Sequence, residues 1–428
     1  MMSATRFLML VIALLSAACV APTETGHPPG LRMDDRRPVD EMIDSYVESG
    51  AYPFLYVRLE DEGGRVVYEH ASINDALLPG WIIDGGQWIR IWSMSKIVTI
   101  TIALDLVEEG MLKLDDPVSW YIPEFSGLKV AVSPTGGSLA AETDPAAGCP
   151  YQEVPLRRPM TIRHLINHEA GFFYADMALD CLGGALAEQN ITRAADSQAL
   201  INSLASIPLV MQPGETRHYG LNTTVLGLVM ERAAGKTLQQ LVEERITAPM
   251  DIDGLRYGLP EGATMLPRFS GKEGFLREAR PGELNIMGPD VPDTDPAHPL
   301  YLGGEGMVAT ADGYADFLRM LLRRGRLNGH RFLEESTIAE MAAPQTQLDN
   351  EYGYDGYNLW VNNGRQADGS WGVGGLWIGG GYEGTHFWVD PESRFVGVIM
   401  TQVFWIPESA YHRDEKIRSA IYAQLRGD

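Results

Sequence analysis

Segments with strand character lie at both ends of this chain, and helical patterns fill the middle. Near the N-terminus, residues 54–59 and 65–68 are rich in β-branched and aromatic side chains and flank a glycine-containing turn, which is typical of a hairpin. Helical spacing of apolar residues dominates from about Lys96 to Arg324. The sequence therefore predicts an α+β fold: one antiparallel sheet built from N- and C-terminal segments, flanked by helices, with an inserted helical region. The other expected strands are 357–361, 385–389 and 395–401, and the expected helices are 40–48, 97–109, 161–167, 196–204, 224–234, 238–246, 311–324 and 409–425.

The charge and the cysteines exclude several classes of protein. The chain has 34 Lys and Arg against 57 Asp and Glu, a formal net charge of −23. Such a surface repels phosphate backbones and anionic lipids, so we expect no nucleic-acid partner. The three cysteines, Cys19, Cys149 and Cys181, include no CxxC pair. A zinc ribbon and a thioredoxin-type redox motif are therefore excluded.

Residues 1–19 have the pattern of an export signal. Arg6 precedes an apolar run at 7–15, which is too short to span a bilayer, and small residues then lead to Cys19. These small residues resemble a bacterial lipobox, although Ser16 stands where the usual Leu would be. Lipidation at Cys19, which would tether the protein to a membrane, and ordinary cleavage both remain open. In either case we expect a periplasmic or cell-envelope protein, with residues 20–38, rich in Pro, Gly and charge, as a tether.

Export also predicts a disulfide. In an oxidising compartment, two thiols within reach of each other tend to pair. Once Cys19 is removed or lipidated, Cys149 and Cys181 are the remaining thiols, and each lies in a glycine-containing segment. We therefore expect these two cysteines to form a bridge.

Several motifs of other enzyme classes are missing. No GxSxG nucleophile elbow occurs, which argues against an α/β-hydrolase. His168-Glu169 lacks the second histidine of a zinc protease, and no phosphate-binding P-loop is present. Gly304-Glu305-Gly306 follows no clear βα crossover, which disfavours a dinucleotide site. We therefore expect neither a metal nor a cofactor.

Ser93 and Lys96 form an SxxK pair at the start of the helical run 97–104. This spacing puts both side chains on one helix face, with the serine at the positive end of the helix dipole. There the Ser93 N–H can face a developing oxyanion. Lys96 can accept the serine proton only if it is neutral, and burial can lower the pKa of an ammonium group enough for that. Alone, the pair could equally be a helix N-cap and a solvated lysine.

The motifs around this pair carry a resemblance to a known family. In order along the chain they are SMSK at 93–96, LVEEGMLKLDDP at 106–117, MTIRHLINHEAG at 160–171, GGEGMVAT at 303–310 and GTHFWVDP at 384–391. The series resembles the serine β-lactamase and penicillin-binding-protein superfamily, and within it the class C-like esterases called family VIII carboxylesterases. The resemblance implies a β-lactamase/transpeptidase-like fold over a single catalytic domain, 39–428, with the sheet part at about 39–110 and 300–428 and a mostly helical part at about 111–299. It also implies an acyl-enzyme formed on Ser93.

The second motif of this family is similar to Tyr219-Gly220-Leu221. The resemblance implies that Tyr219 lies beside Ser93 and Lys96, relays the proton as their base partner, and then protonates the leaving group. A packed, hydrogen-bonded aromatic residue is the structural alternative. Asn222 falls one place beyond the family's asparagine, so no role is assigned to it.

The third motif is expected near Gly379-Gly380-Gly381, with its usual Trp either replaced by Gly379 or shifted to Trp377. Gly380 and Gly381 permit close approach to a substrate, and the Tyr382 N–H is a candidate second oxyanion donor. No Lys or Arg occurs in residues 370–391 to hold the carboxylate of a β-lactam or a peptide.

The sequence thus predicts an exported serine hydrolase, a carboxylesterase that cleaves small-molecule esters with short acyl groups. A β-lactamase or D-Ala-D-Ala-type peptidase using the same residues is one alternative. A catalytically silent envelope binding protein is the other. The oligomeric state stays open.

Overall fold

A computed structural model describes residues 30–139, 150–177, 180–284, 286–406 and 410–427 of the chain. The predicted export signal at 1–19, with Cys19, lies outside these residues, and so does Cys149. In the described part of the chain, no helix is long and apolar enough to cross a bilayer.

The helices occur at both ends of the chain and throughout the middle. They are α1 Arg37–Glu48, α2 Ser95–Glu108, α3 Ile162–Ile166, α4 Asp180–Glu188, α5 Ser197–Ala205, α6 Asn222–Ala234, α7 Leu238–Val242, α8 Ala248–Met250, α9 Ala311–Leu322, α10 Glu335–Met341 and α11 Ala410–Gln424. Short 3₁₀ turns lie at Trp92–Met94, Val118–Trp120, Pro123–Gly127, Ala175–Met177 and Ile191–Arg193, and a π-helical turn lies at Glu243–Thr247.

The strands are concentrated toward the two ends. They are β1 Leu31–Met33, β2 Phe54–Asp61, β3 Val66–Ile73, β4 Ile89–Arg90, β5 Lys129–Val132, β6 Gln152–Pro155, β7 Leu255–Tyr257, β8 Phe269–Ser270, β9 Arg277–Glu278, β10 Met307–Ala309, β11 Arg326–Leu327, β12 His330–Arg331, β13 Asp349–Asn350, β14 Gly353–Asp355, β15 Trp360–Asn362, β16 Trp377–Gly380, β17 His386–Asp390, β18 Phe395–Met400, β19 Val403–Phe404 and β20 Leu425–Gly427.

The main sheet joins the two ends of the chain, as the sequence predicts. Its strand order is β13-β14-β15-β16-β17-β18-β2-β3, and every neighbouring pair is antiparallel. The C-terminal strand β18 pairs with the N-terminal strand β2, with Phe395 opposite Asp61 and Met400 opposite Tyr56. The α+β architecture with a sheet of distant segments is therefore confirmed.

Helices cover both faces of this sheet. Successive residues of a strand point to opposite faces, and on β17 the ring of Phe387 lies 5.7 Å from that of Tyr314 in α9. His386, the preceding residue of β17, points to the opposite face and accepts a hydrogen bond from Arg418 of α11. Thus α9 and α11 lie on opposite faces. Helix α2 has no exposed face over Ser95–Leu106, because it lies between the sheet and the helical region.

The segment before α1 differs from the tether that the sequence predicts. Residues 31–38 do not belong to a tether: Leu31–Met33 forms a strand with Leu425–Gly427, and α1 already begins at Arg37. The backbone pairing and the buried apolar residues of α1 outweigh the Pro and charge content of this segment.

Cys181 is disulfide-bonded, and its expected partner, Cys149, lies outside the described residues.

The centre of the sheet depends on one close contact between an aromatic ring and a glycine. Gly397 of β18 lies opposite Trp388 of β17, and a Cβ at Gly397 would come within 2.2 Å of the fully buried Trp388 ring. We expect Gly397→Ala to lower the free energy of unfolding by about 1–3 kcal/mol, the usual cost of overpacking. Urea unfolding measures this, with Gly127→Ala as control because a Cβ there meets no atom within 4 Å. Equal effects of the two substitutions would contradict the prediction.

Candidate active site

Ser93 lies on a strained turn between β4 and α2. The 3₁₀ turn Trp92–Met94 precedes α2, so the α-helix begins at Ser95 and not at the serine. Trp92 has a positive φ of 47°, an unfavourable conformation for a bulky residue, and its indole Nε1 donates to Glu383 Oε2 over 2.7 Å. Ser93 is partly exposed while Trp92 and Met94 are buried. The turn therefore presents the Ser93 hydroxyl at the surface.

Lys96, one turn further, is fully buried and points back to this serine. Its Nζ donates to Ser93 Oγ over 3.1 Å, which confirms that the two side chains share a face. It also donates to the Gly304 carbonyl over 2.9 Å, to the Tyr174 hydroxyl over 2.8 Å and to Glu305 Oε1 over 3.1 Å. An ammonium group has three protons, so these acceptors saturate it.

The surroundings of Lys96 do not lower its pKa. Burial lowers the pKa of this ammonium group, but Tyr219 and the Glu305 carboxylate raise it more, and the pKa ends above its ordinary value. The sequence analysis considered burial and positive potential, whereas the structure supplies a buried anion in direct contact. Lys96 is therefore an ammonium ion paired with Glu305.

Tyr219 and Tyr174 are neighbouring rings that both pack against the lysine. Lys96 Nζ is 5.0 Å from the ring centroid of Tyr219 and 5.5 Å from that of Tyr174, and the two rings are 5.7 Å apart. Tyr219 thus lies beside Lys96, as the resemblance implies. Burial, Glu305 and Tyr219 hold the pKa of the Tyr174 hydroxyl well above its usual range, so this group is a neutral phenol.

His168 holds Tyr219 in place. Its ring stacks on that of Tyr219 with centroids 4.6 Å apart, and its backbone carbonyl accepts from the His218 N–H over 2.7 Å. Burial, Arg217 and Lys96 push the pKa of His168 well below its ordinary value, so the ring is neutral. Asn222 points its amide at the backbone carbonyls of Phe172 and His218. This structural role agrees with leaving Asn222 out of the catalytic set.

The backbone of Gly380 faces the same cleft. Hydrogen bonds in an antiparallel ladder alternate in direction, and the Gly381 N–H donates to the Thr385 carbonyl on the β17 side. The Gly380 N–H, opposite His386, therefore points away from β17. On that side β15 begins at Trp360, whose partner is Ile378, so the pairing of β15 with β16 does not reach Gly380. The Gly380 N–H is therefore a candidate donor to a group bound in the cleft, which Gly380 lines.

Gly381 and Tyr382 lie against the segment that carries Ser93, at Ile91 and Trp92. A Cβ at Gly381 would lie 2.5 Å from the Ile91 carbonyl oxygen, so the missing side chain lets the strand approach the Ser93 turn. The Tyr382 ring packs against Trp92 with centroids 5.7 Å apart. Neither residue lines the Ser93 cleft. Strand alternation makes the Gly380 N–H a further candidate oxyanion donor beside the Tyr382 N–H that the sequence analysis names.

The cleft above Ser93 has a volume of about 180 Å³. Among its lining residues are Ser93, Tyr219, Gly380 and an ion pair, Arg217 Nε to Asp355 Oδ2 at 2.5 Å. Residues 370–391 contain no Lys or Arg, but a cation from another part of the chain, Arg217, lines this cleft. Asp355 already neutralises it. Among the described residues, no cluster of three or more His, Cys, Asp or Glu side chains could hold a metal ion.

A partly exposed serine that accepts a hydrogen bond from a lysine one turn later, with an adjacent tyrosine, on this fold is typical of a class of acyl-transferring serine enzymes. The sequence of residues 39–421 matches the family described as Beta-lactamase. The chain therefore belongs to the β-lactamase family, within the serine β-lactamase and penicillin-binding-protein superfamily, and has its fold.

Three known proteins illustrate this relationship. Protein Rv1367c of Mycobacterium tuberculosis is 31% identical over 276 residues, 64% of each chain, and the acyltransferase mokF of Monascus pilosus is 27% identical over 72% of this chain and 70% of that one. The chain spans less than two thirds of the length of the first relative. The solved structure of EstCE1, a hydrolase with promiscuous acyltransferase activity, superposes with a TM-score of 0.71 at 21% identity and covers 90% of this chain and 98% of that one.

The contact of Gly381 with the Ser93 turn gives a test of the site geometry. We expect Gly381→Ala to lower kcat/KM for an ester about tenfold or more, because the new Cβ pushes β16 away from Ile91 and misplaces the oxyanion donor by a fraction of an ångström or more. Steady-state kinetics and thermal melting measure the effect. Gly372→Ala is the control, since its Cβ meets only the flexible Gln366 side chain. Unchanged kinetics of Gly381→Ala would refute this role.

Proposed function

We propose that this protein is an exported serine esterase that cleaves short-acyl esters through an acyl-enzyme on Ser93. One observation carries the proposal: Ser93 Oγ, at the mouth of a cleft, lies 3.1 Å from the Nζ of a buried lysine. A serine used only as a helix cap would need no such partner. A packed serine would not be partly exposed.

The geometry supports a two-step mechanism. Ser93 Oγ attacks the ester carbonyl while its proton moves toward Lys96, and the Ser93 and Gly380 N–H groups stabilise the oxyanion. Collapse of the tetrahedral intermediate expels the alcohol, which takes a proton from the Lys96–Tyr219 pair. Water then attacks the acyl-enzyme, and the same groups accept its proton.

Three features favour a short neutral ester over a peptide or a β-lactam. The cleft of about 180 Å³ is smaller than sites that hold drug-sized ligands. Strand β15 already occupies the edge of β16 at Trp377 and Ile378, which leaves only Gly379 and Gly380 of that strand for pairing with an extended peptide. Asp355 neutralises Arg217, which leaves no free cation in the cleft to hold a substrate carboxylate.

Acyl transfer to an alcohol is a second activity that the relatives favour. The relative mokF is named an acyltransferase, and EstCE1 is a hydrolase with promiscuous acyltransferase activity. Hydrolysis and alcoholysis share the acyl-enzyme and differ only in the nucleophile of the second step. Product ratios with an added primary alcohol separate the two activities.

Export is part of the proposal. It is supported by the signal-like pattern of residues 1–19 and by the disulfide at Cys181, since structural disulfides persist mainly in oxidising compartments. We propose that a lipid on Cys19, which follows the lipobox-like small residues, is the form of membrane attachment.

Substitution of each of the two serines in the SMSK motif tests which one is the nucleophile. We expect Ser93→Ala to abolish ester turnover and fluorophosphonate labelling, because no other group can form the acyl-enzyme. Ser95→Ala should keep substantial activity, since Ser95 Oγ only accepts from the Met307 N–H, over 3.2 Å. Hydrolysis by Ser93→Ala above background would exclude the assignment. A native protein that fails to label would support a silent binding protein.

Substrate preference is tested by paired assays of the native enzyme. We expect hydrolysis of p-nitrophenyl acetate or butyrate to exceed that of a chromogenic cephalosporin by orders of magnitude in kcat/KM. The reason is the absence of an unpaired cation for the β-lactam carboxylate. Comparable values would favour the β-lactamase alternative.

A further inference from the structure

Glu305 is a buried carboxylate in direct contact with the catalytic lysine. The residue is 3% exposed and lies in the glycine-rich turn before β10. One oxygen, Oε1, accepts from Lys96 Nζ over 3.1 Å and from the Tyr174 hydroxyl; the other, Oε2, accepts from Thr224 Oγ1. These donors fix both oxygens, so the carboxylate has one defined position beside Lys96.

This contact raises a problem for the proton of Ser93. Lys96 is an ammonium ion, and an ammonium ion has no lone pair to accept a further proton. Lys96 can therefore act on Ser93 only if it gives a proton away as it receives one. Among the hydrogen-bond partners of Lys96 Nζ in the described residues, Glu305 is the one carboxylate.

We propose that Glu305 is the terminal proton acceptor of the acylation step and acts through Lys96, an inference that rests on the proposed esterase function. Ser93 Oγ forms its bond to the acyl carbon and loses its proton to Lys96 Nζ, and Lys96 passes one of its own protons to Glu305 Oε1. The carbonyl electron pair moves onto the oxyanion. When the intermediate collapses, the C–O bond breaks, the alcohol oxygen takes a proton from Lys96, and Glu305 returns its proton to the lysine.

The geometry suits such a relay. Lys96 Nζ lies 3.1 Å from Ser93 Oγ on one side and 3.1 Å from Glu305 Oε1 on the other, both within hydrogen-bond reach. Lys96 stays an ammonium ion through the step, because it gains one proton as it loses another; Glu305 becomes neutral, and the negative charge moves to the oxyanion. Glu305 is thus a positioning residue for Lys96 as well as its proton acceptor.

Few other titratable groups face this pair. Tyr174 contacts both members, Tyr219 packs on Lys96, and His168 and Arg217 lie on Tyr219. The pKa of Tyr174 is raised and that of His168 is lowered by burial, so both stay neutral at working pH. A change in the pH profile after substitution of Glu305 therefore reports on the Lys96–Glu305 pair.

The test compares Glu305→Gln with the native enzyme. Gln keeps the acceptor oxygen for Lys96 but cannot take up a proton. We expect kcat/KM for p-nitrophenyl butyrate at pH 7 to fall about 100-fold or more, the usual loss when a general base is removed, with KM little changed. Without the anion the pKa of Lys96 falls, so the residual activity should rise steeply with pH. Equal or higher activity at pH 7 would overturn the proposal, because it would mean that Glu305 only suppresses a lysine that acts alone.

Two controls keep the result interpretable. Glu60→Gln removes an equally buried carboxylate, 3% exposed, which lies on β2 and pairs with Arg58 of the same strand and Arg319 of α9. We expect it to leave the kinetics unchanged. If Glu305→Gln does not fold by circular dichroism, a proton inventory of native acylation in mixed H₂O and D₂O decides. Two protons moving together give a curved plot, whereas a linear plot overturns the relay. Loss of Ser93 labelling in the native enzyme would instead refute the esterase function itself.

Discussion

A buried positive charge at the start of the central helix is the constraint on which the site depends. Lys96 is surrounded by protein on all sides, and a lone ammonium ion there would cost several kcal/mol. Its acceptors come from segments 78 and 209 positions away in the chain, at Tyr174 and Glu305. The N-terminal, helical and C-terminal parts must therefore all be in place before the lysine is satisfied. The same contacts that stabilise the fold orient the reactive group.

Much of the fold could be predicted because its signals are local. The β2–β3 hairpin, the central helix α2 and the helices α6 and α9 each have a periodic pattern over ten or so residues. Strand β16 was not among the expected strands, since Gly379 and Gly380 have low strand propensity. Pairing with β17 on one side and β15 on the other overrides that propensity. Such pairing is invisible in the segment itself.

The candidate site also contains residues that the sequence predicts and residues that it does not. Ser93, Lys96 and Tyr219 were found because they stand in short motifs with defined spacing, and the structure brings all three together. Tyr174 and Glu305 were not assigned a role: Tyr174 follows two phenylalanines, and Glu305 stands in the GGEGMVAT motif, which carries the family resemblance but says nothing about this side chain. Their importance arises from proximity in space, which single-sequence patterns do not encode. For that reason the sequence analysis did not predict a buried carboxylate beside Lys96.

The position of β18 in the main sheet has a consequence for how this chain is made. Strand β2 leaves the ribosome long before its inner neighbour, β18, because most of the described chain lies between them. One edge of the β2–β3 hairpin therefore has no partner strand until β18 has been synthesised, and pairing over such a separation is slow. The main sheet is thus completed late, when its distant segments meet.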